Sequence, residues 1–132
     1  MINISNSLED YLEAILILSE KNDSVRITDL AMAMEITKPS ATEAVKSLVE
    51  FGLLKHEKYG PVELTTLGKK QAVEVRRRHR ILKQFLIEIL GVPSLIAEKD
   101  ACLMEHAVSF DTIERLIQFL EAQIALSKTD KI

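Results

Sequence analysis

Thr37-Lys38-Pro39-Ser40-Ala41-Thr42-Glu43-Ala44-Val45-Lys46-Ser47-Leu48-Val49-Glu50-Phe51-Gly52 is the stretch that decides the fold. It opens on a hydroxyl residue suited to capping a helix, with proline following in the first turn. It closes on glycine, the residue best able to adopt the left-handed conformation that stops a helix. A helix ending at about Phe51 is expected, with small polar side chains at its start. The period then changes. Residues 53–58 and 62–65 read as two short strands around the turn Tyr59-Gly60-Pro61.

Upstream, Ser5 or Ser7 can cap a first helix in which Leu8, Leu12, Ile15 and Leu16 recur at helical spacing as far as Lys21. Asn22-Asp23-Ser24 reads as a turn. A short helix follows over about 28–34, with Thr28 as its expected cap. Three helices and a hairpin, the second and third helices closely connected, give the order of a winged helix-turn-helix. The third helix of such a unit enters the major groove. Downstream, one long helix is expected over 66–90, where Gly68 costs little and Gly91-Val92-Pro93 ends it. Two amphipathic helices follow, over 94–107 and 110–127, with a loose tail from about Ser127. The expected fold class is mainly α with a small β-hairpin wing. Its two parts are a DNA-binding domain over 1–70 and a helical domain over 71–132.

Charge narrows the function. The net charge is −3, yet residues 1–80 carry 12 Lys/Arg against 12 Asp/Glu, and 37–70 carry 6 against 4. Arg76, Arg77, Arg78 and Arg80 follow closely. A basic stripe on a neutral domain suffices for phosphate contact, although a solvated helical face has the same composition. Lys38, Pro39, Ser40, Thr42, Glu43 and Lys46 are the candidate DNA contacts on the third helix, with Lys58 on the wing. Ser40, Thr42 and Glu43 are placed to face bases, and Lys38, Lys46 and Lys58 to reach phosphates. Glu43 either accepts from a cytosine amino group or lowers affinity beside the backbone. With no Trp and 5% aromatic residues, base stacking is not the expected mode.

The start of the chain lacks the features of a secretory signal, and no apolar run reaches the roughly 18–20 residues of a membrane span. One cysteine, Cys102, excludes an internal disulfide and fits a reducing compartment. A cytoplasmic protein with no membrane partner is expected. No Gly-rich nucleophile turn or phosphate loop is present, so neither an enzyme nor a small-molecule substrate is expected. The terminal helix carries Leu116, Ile117, Phe119, Leu120, Ile124 and Leu126. Intramolecular packing and a homodimer interface account for them equally well.

Cys102-Leu103-Met104-Glu105-His106 carries the chemistry. Spacings of three and four put a thiol, a carboxylate and an imidazole on one helix face. Asp10 and Glu13 share a face of the first helix, and His79 lies within the long fourth one. Singly, each also fits a structural role: a small buried hydrophobe, a solvated acid, a satisfied core histidine. Cys102 could instead serve a redox-sensing regulator with no metal.

The sequence resembles the diphtheria-toxin-repressor/MntR family of metal-dependent repressors along essentially all of its length. The resemblance is carried, in order, by Leu8-Glu9-Asp10-Tyr11-Leu12-Glu13, Thr37-Lys38-Pro39-Ser40-Ala41-Thr42, Leu64-Thr65-Thr66-Leu67-Gly68, Arg78-His79-Arg80-Ile81-Leu82 and 102–109. It implies a helical dimerisation and metal-binding domain after the winged helix, and a homodimer on double-stranded operator DNA. Asp10, Glu13, His79, Cys102, Glu105 and His106 fall where family members place metal ligands. Lys83 stands where a carboxylate often helps form a second site, and Glu98 where some members carry His. A second site around His79, using Glu13, Glu98 or Glu105, is therefore altered. The chain ends before the SH3-like domain of longer members and so resembles the short two-domain branch. A thiolate among oxygen and nitrogen donors favours Fe(II), then Mn(II); Zn(II), Co(II) or Ni(II) would also bind in vitro.

Overall fold

The computed structural model describes residues 2–129. Helix α1 (Asn6–Lys21) begins where the Ser5 hydroxyl accepts the Leu8 N–H at 3.2 Å, which satisfies one of the donors a helix start leaves open. The next helix, α2 (Ile27–Met34), starts one residue before the sequence reading placed it, and its cap is Arg26 rather than Thr28. The Asp29 carboxylate reaches back and accepts the Arg26 N–H at 2.9 Å. A carboxylate in the first turn thus ties down the helix start, and Thr28 has no capping to do. Glu35, at φ 55°, closes α2 in the left-handed region.

Helix α3 (Lys38–Glu50) has the expected cap, Thr37, whose side chain accepts the Ser40 N–H at 3.2 Å. Gly52, at φ 77°, follows its end. The hairpin is tighter than the sequence suggests. Strand β1 (Leu54–His56) pairs antiparallel with β2 (Val62–Leu64) in the register Leu54↔Leu64, Lys55↔Glu63 and His56↔Val62. The Gly60 N–H donates to the Glu57 carbonyl at 2.8 Å, and Tyr59 adopts φ 63°. That turn withdraws 57–60 from the ladder. Val25 adds an isolated bridge to Val62.

Helix α4 (Thr66–Glu88) is anchored at its start by Thr65. The Thr65 hydroxyl accepts the Gly68 N–H at 3.0 Å and donates to the Gly52 carbonyl at 2.8 Å. Gly68 is a requirement of packing, not a tolerated cost, because a Cβ there would collide with the Leu53 carbonyl oxygen. Gly68→Ala gains about 1 kcal/mol of helix propensity. Overpacking typically costs about 1–3 kcal/mol, and here the obstacle is backbone that cannot swing aside, so the clash wins. A lower urea midpoint is the expected outcome, and an unchanged midpoint would contradict this account of the packing.

The chain divides into two compact units, Met1–Val75 and Arg76–Ile132, with the boundary inside α4. The first unit is built on Leu12, Ile15 and Leu16 from α1, Leu30 from α2, Val45 and Leu48 from α3, and Leu53 and Val62 from the hairpin. The second is built on Ile81, Leu82 and Leu86 from α4, Ala97 and Ala101 from α5 (Ser94–Ala107), and Ile113, Ile117, Leu120 and Ile124 from α6 (Phe110–Thr129). The two readings of α6 divide by face. Ile117, Leu120 and Ile124 are core, whereas Phe119 and Leu126 are exposed. Helix α5 buries its small residues and leaves Leu95, Ile96 and Leu103 in solvent. Helix α6 continues to Thr129, past the expected start of the tail, and 130–132 lie outside the described residues.

Candidate DNA-reading surface and candidate metal ligands

Burial along α3 separates two faces. Ala41, Ala44, Val45 and Leu48 point into the first core. Lys38, Pro39, Ser40, Thr42, Glu43 and Lys46 are all exposed. Short polar side chains at the helix start therefore face outward on a rigid element. The Thr42 hydroxyl donates to the Lys38 carbonyl at 2.9 Å, and Ser40 accepts from the Thr37 hydroxyl at 2.9 Å.

On the wing, Lys58 is exposed and its ammonium lies 5.4 Å from the Tyr59 ring centre. Tyr59 is 87% exposed at the hairpin tip. Arg26 donates from Nη1 to the Tyr59 carbonyl at 3.2 Å, tying the start of α2 to the wing. The groove between them, about 450 Å³, is lined by Arg26, Thr28, Lys38, Thr42, His56 and Lys58 among others, with no carboxylate among its lining residues. Three cations around an acid-free groove favour an anion of extended shape. Arg26 and Tyr59 were not legible as functional. A turn-tip aromatic was the only signal for Tyr59, and nothing in the sequence pairs Arg26 with a residue 33 positions away.

Two arginines of the run serve another purpose. Arg77 pairs with Glu121 and lies 3.8 Å from Glu114, both on α6. Arg78 is buried, its Nε 3.6 Å from Glu105 Oε1 and its guanidinium 5.5 Å from the Phe110 ring centre. These two arginines hold the second unit together instead of extending a phosphate-binding stripe.

Asp10 and Glu13 are half-buried on α1, in the first unit. The remaining candidate ligands belong to the second. Cys102 and His106 are half-buried and Glu105 is buried on α5. Glu105 Oε2 lies 3.9 Å from His79 Nδ1 on α4. His79 Nε2 is 2.8 Å from Glu98 Oε1, and Lys83 Nζ is 2.8 Å from Glu98 Oε2. The Lys83 ammonium first, and His79 after it, hold the Glu98 carboxyl below the usual carboxylate range against the opposing effect of burial. Lys83, Glu98, His79, Glu105 and Arg78 thus form a row in which cationic or proton-donating groups alternate with carboxylates. Beside it, thiol, carboxylate and imidazole line one stretch of α5, a donor set suited to a borderline divalent ion. No helix among the described residues is long and apolar enough to cross a membrane.

Known proteins share this arrangement of elements. Residues 3–62 match the model of the iron dependent repressor N-terminal DNA binding domain, and 65–123 match that of the iron dependent repressor metal binding and dimerisation domain. An uncharacterized HTH-type transcriptional regulator of Methanocaldococcus jannaschii is 37% identical over 119 residues, covering 89% of this chain and 95% of that protein. The HTH-type transcriptional regulator MntR of Bacillus subtilis is 36% identical over 125 residues, covering 92% and 87%. Among solved structures, a manganese-dependent transcriptional repressor in complex with manganese matches with a TM-score of 0.73 at 34% identity. That match covers 86% of this chain and 52% of the other, so the chain spans about half the length of that solved relative. Fold, order of elements and sequence agree: the chain belongs to the diphtheria-toxin-repressor/MntR family of metal-dependent transcriptional repressors.

Proposed function

We propose that the chain binds double-stranded operator DNA as a homodimer when a divalent metal ion is held by Asp10, Cys102, Glu105 and His106, with Glu13 beside Asp10. Fe(II) is the favoured ion and Mn(II) the next, and the output is repression of metal-homeostasis genes in the cytoplasm. The observation that carries the reading is the set of three donors of graded softness on α5, one of them, Glu105, fixed by Arg78. A bound dication would supply the positive charge that offsets the carboxylates of Asp10, Glu13 and Glu105. Without it those carboxylates disfavour the close approach of α1 and α5, with Arg78 offsetting only the Glu105 share. Metal occupancy and DNA occupancy are then reciprocally linked, because both favour one arrangement of the two units. Zn(II), Co(II) and Ni(II) bind the same donors in vitro.

The exposed Leu95, Ile96, Leu103, Phe119 and Leu126 of the second unit suit a second copy of the chain. Two copies present two α3 helices, which reach half-sites roughly 34 Å apart. Lys38, Lys46 and Lys58 meet phosphates, while Ser40, Thr42 and Glu43 face base edges and Pro39 holds the first turn close to the duplex. Alanine at Lys38 or Lys58 should weaken binding to all sequences alike and lower the salt slope by about 1. Alanine at Thr42 should instead cost about 1–3 kcal/mol of discrimination at one base pair. Fluorescence anisotropy across a NaCl series on operator and scrambled duplexes separates these effects. An unchanged slope in both lysine variants would remove the groove from the interface.

A further inference from the structure

The row of charges beside the proposed ligands has a consequence for how many ions the second unit accepts. Both oxygens of Glu98 are engaged, Oε1 with His79 Nε2 at 2.8 Å and Oε2 with Lys83 Nζ at 2.8 Å. An ionised carboxylate only accepts hydrogen bonds, so His79 Nε2 carries the proton it donates. A metal ion bound at that nitrogen would have to displace both the proton and the carboxylate. It would also compete with the Lys83 ammonium for the same Glu98 carboxylate, and the two like charges would repel each other across it.

We infer that Lys83 is a built-in cation that occupies the Glu98–His79 end of the row, so that each protomer takes one metal ion and not two. His79 and Glu98 are then positioning residues. Glu98 orients the His79 ring, and the other ring nitrogen of His79 faces Glu105 Oε2 at 3.9 Å. The lysine does the electrostatic work of a second ion without depending on metal supply. This inference rests on the reading of Cys102, Glu105 and His106 as ligands.

The test is anaerobic equilibrium dialysis of the full chain against Co(II), with metal counted by elemental analysis and thiolate-to-cobalt absorption followed in parallel. The native chain should hold one ion per protomer, with thiolate absorption. Lys83→Glu exchanges the cation for a donor and should hold two, the second adding no thiolate absorption. Lys83→Gln removes the charge without adding a carboxylate and should admit a weaker second ion. The Lys83 side chain is 35% exposed, so both variants should keep the fold. Two ions in the native chain overturn the inference, as does a single ion in both variants. No ion, or one without thiolate absorption, overturns the ligand assignment itself and the inference with it.

Discussion

With His106 replaced by alanine, metal should no longer strengthen operator binding. Coupling between an effector and a ligand site commonly amounts to 5–150-fold in affinity, and the whole of it should be lost. The native and variant proteins should bind alike once metal is removed, because the residues proposed to face DNA belong to the first unit and are untouched. His106 is the cleaner position for this test than Glu105. The imidazole is half-buried, whereas the Glu105 carboxylate also balances the buried Arg78. Glu105→Ala should lose the metal response as well, with a folding cost added. Operator binding by both variants that still rises with metal as in the native protein would remove these residues from the site.

Arg78→Met should produce the largest loss of stability in the second unit. The side chains of Arg78 and Glu105 are each 3% exposed, and the Arg78 Nε lies 3.6 Å from the Glu105 carboxylate. Removing one partner of a buried pair costs about 3–5 kcal/mol, because the other charge stays buried and loses its counter-ion. Against a total stability of about 5–15 kcal/mol that is a severe change. Replacing both residues by methionine should restore most of the stability, since an apolar pair needs no desolvation. The double variant should still lack a metal response. Urea unfolding of the three proteins decides the matter. Equal midpoints for the native and Arg78→Met chains would mean that the pair contributes nothing.

The DNA-binding half was legible because its signals are local. Thr37, Pro39 and Gly52 mark the ends of α3 through backbone chemistry that depends on no distant residue. The same is true of Ser5 on α1. Features made by tertiary approach were not legible. Gly68 reads as a tolerable helix residue until the Leu53 carbonyl is placed against it. Arg78 sits in a run of arginines that suggests phosphate, yet it is buried against Glu105. Helix α5 inverts the usual pattern, burying Ala97, Ala101 and Glu105 while Leu95, Ile96 and Leu103 face solvent. Periodicity finds such a helix but not which face is inward. The Cys102, Glu105 and His106 face was visible from spacing alone, whereas the bond from Lys83 to Glu98 was not, because it depends on the packing of α4 against α5.

The central claim is that metal switches DNA binding. It is tested most directly by titrating Fe(II), and separately Mn(II), under anaerobic conditions into the full chain with labelled duplex from its own promoter at fixed salt. Tight binding that appears only with metal, is reversed by a chelator and weakens steeply as salt rises is the predicted result. The same affinity with chelator present as with saturating metal would contradict it.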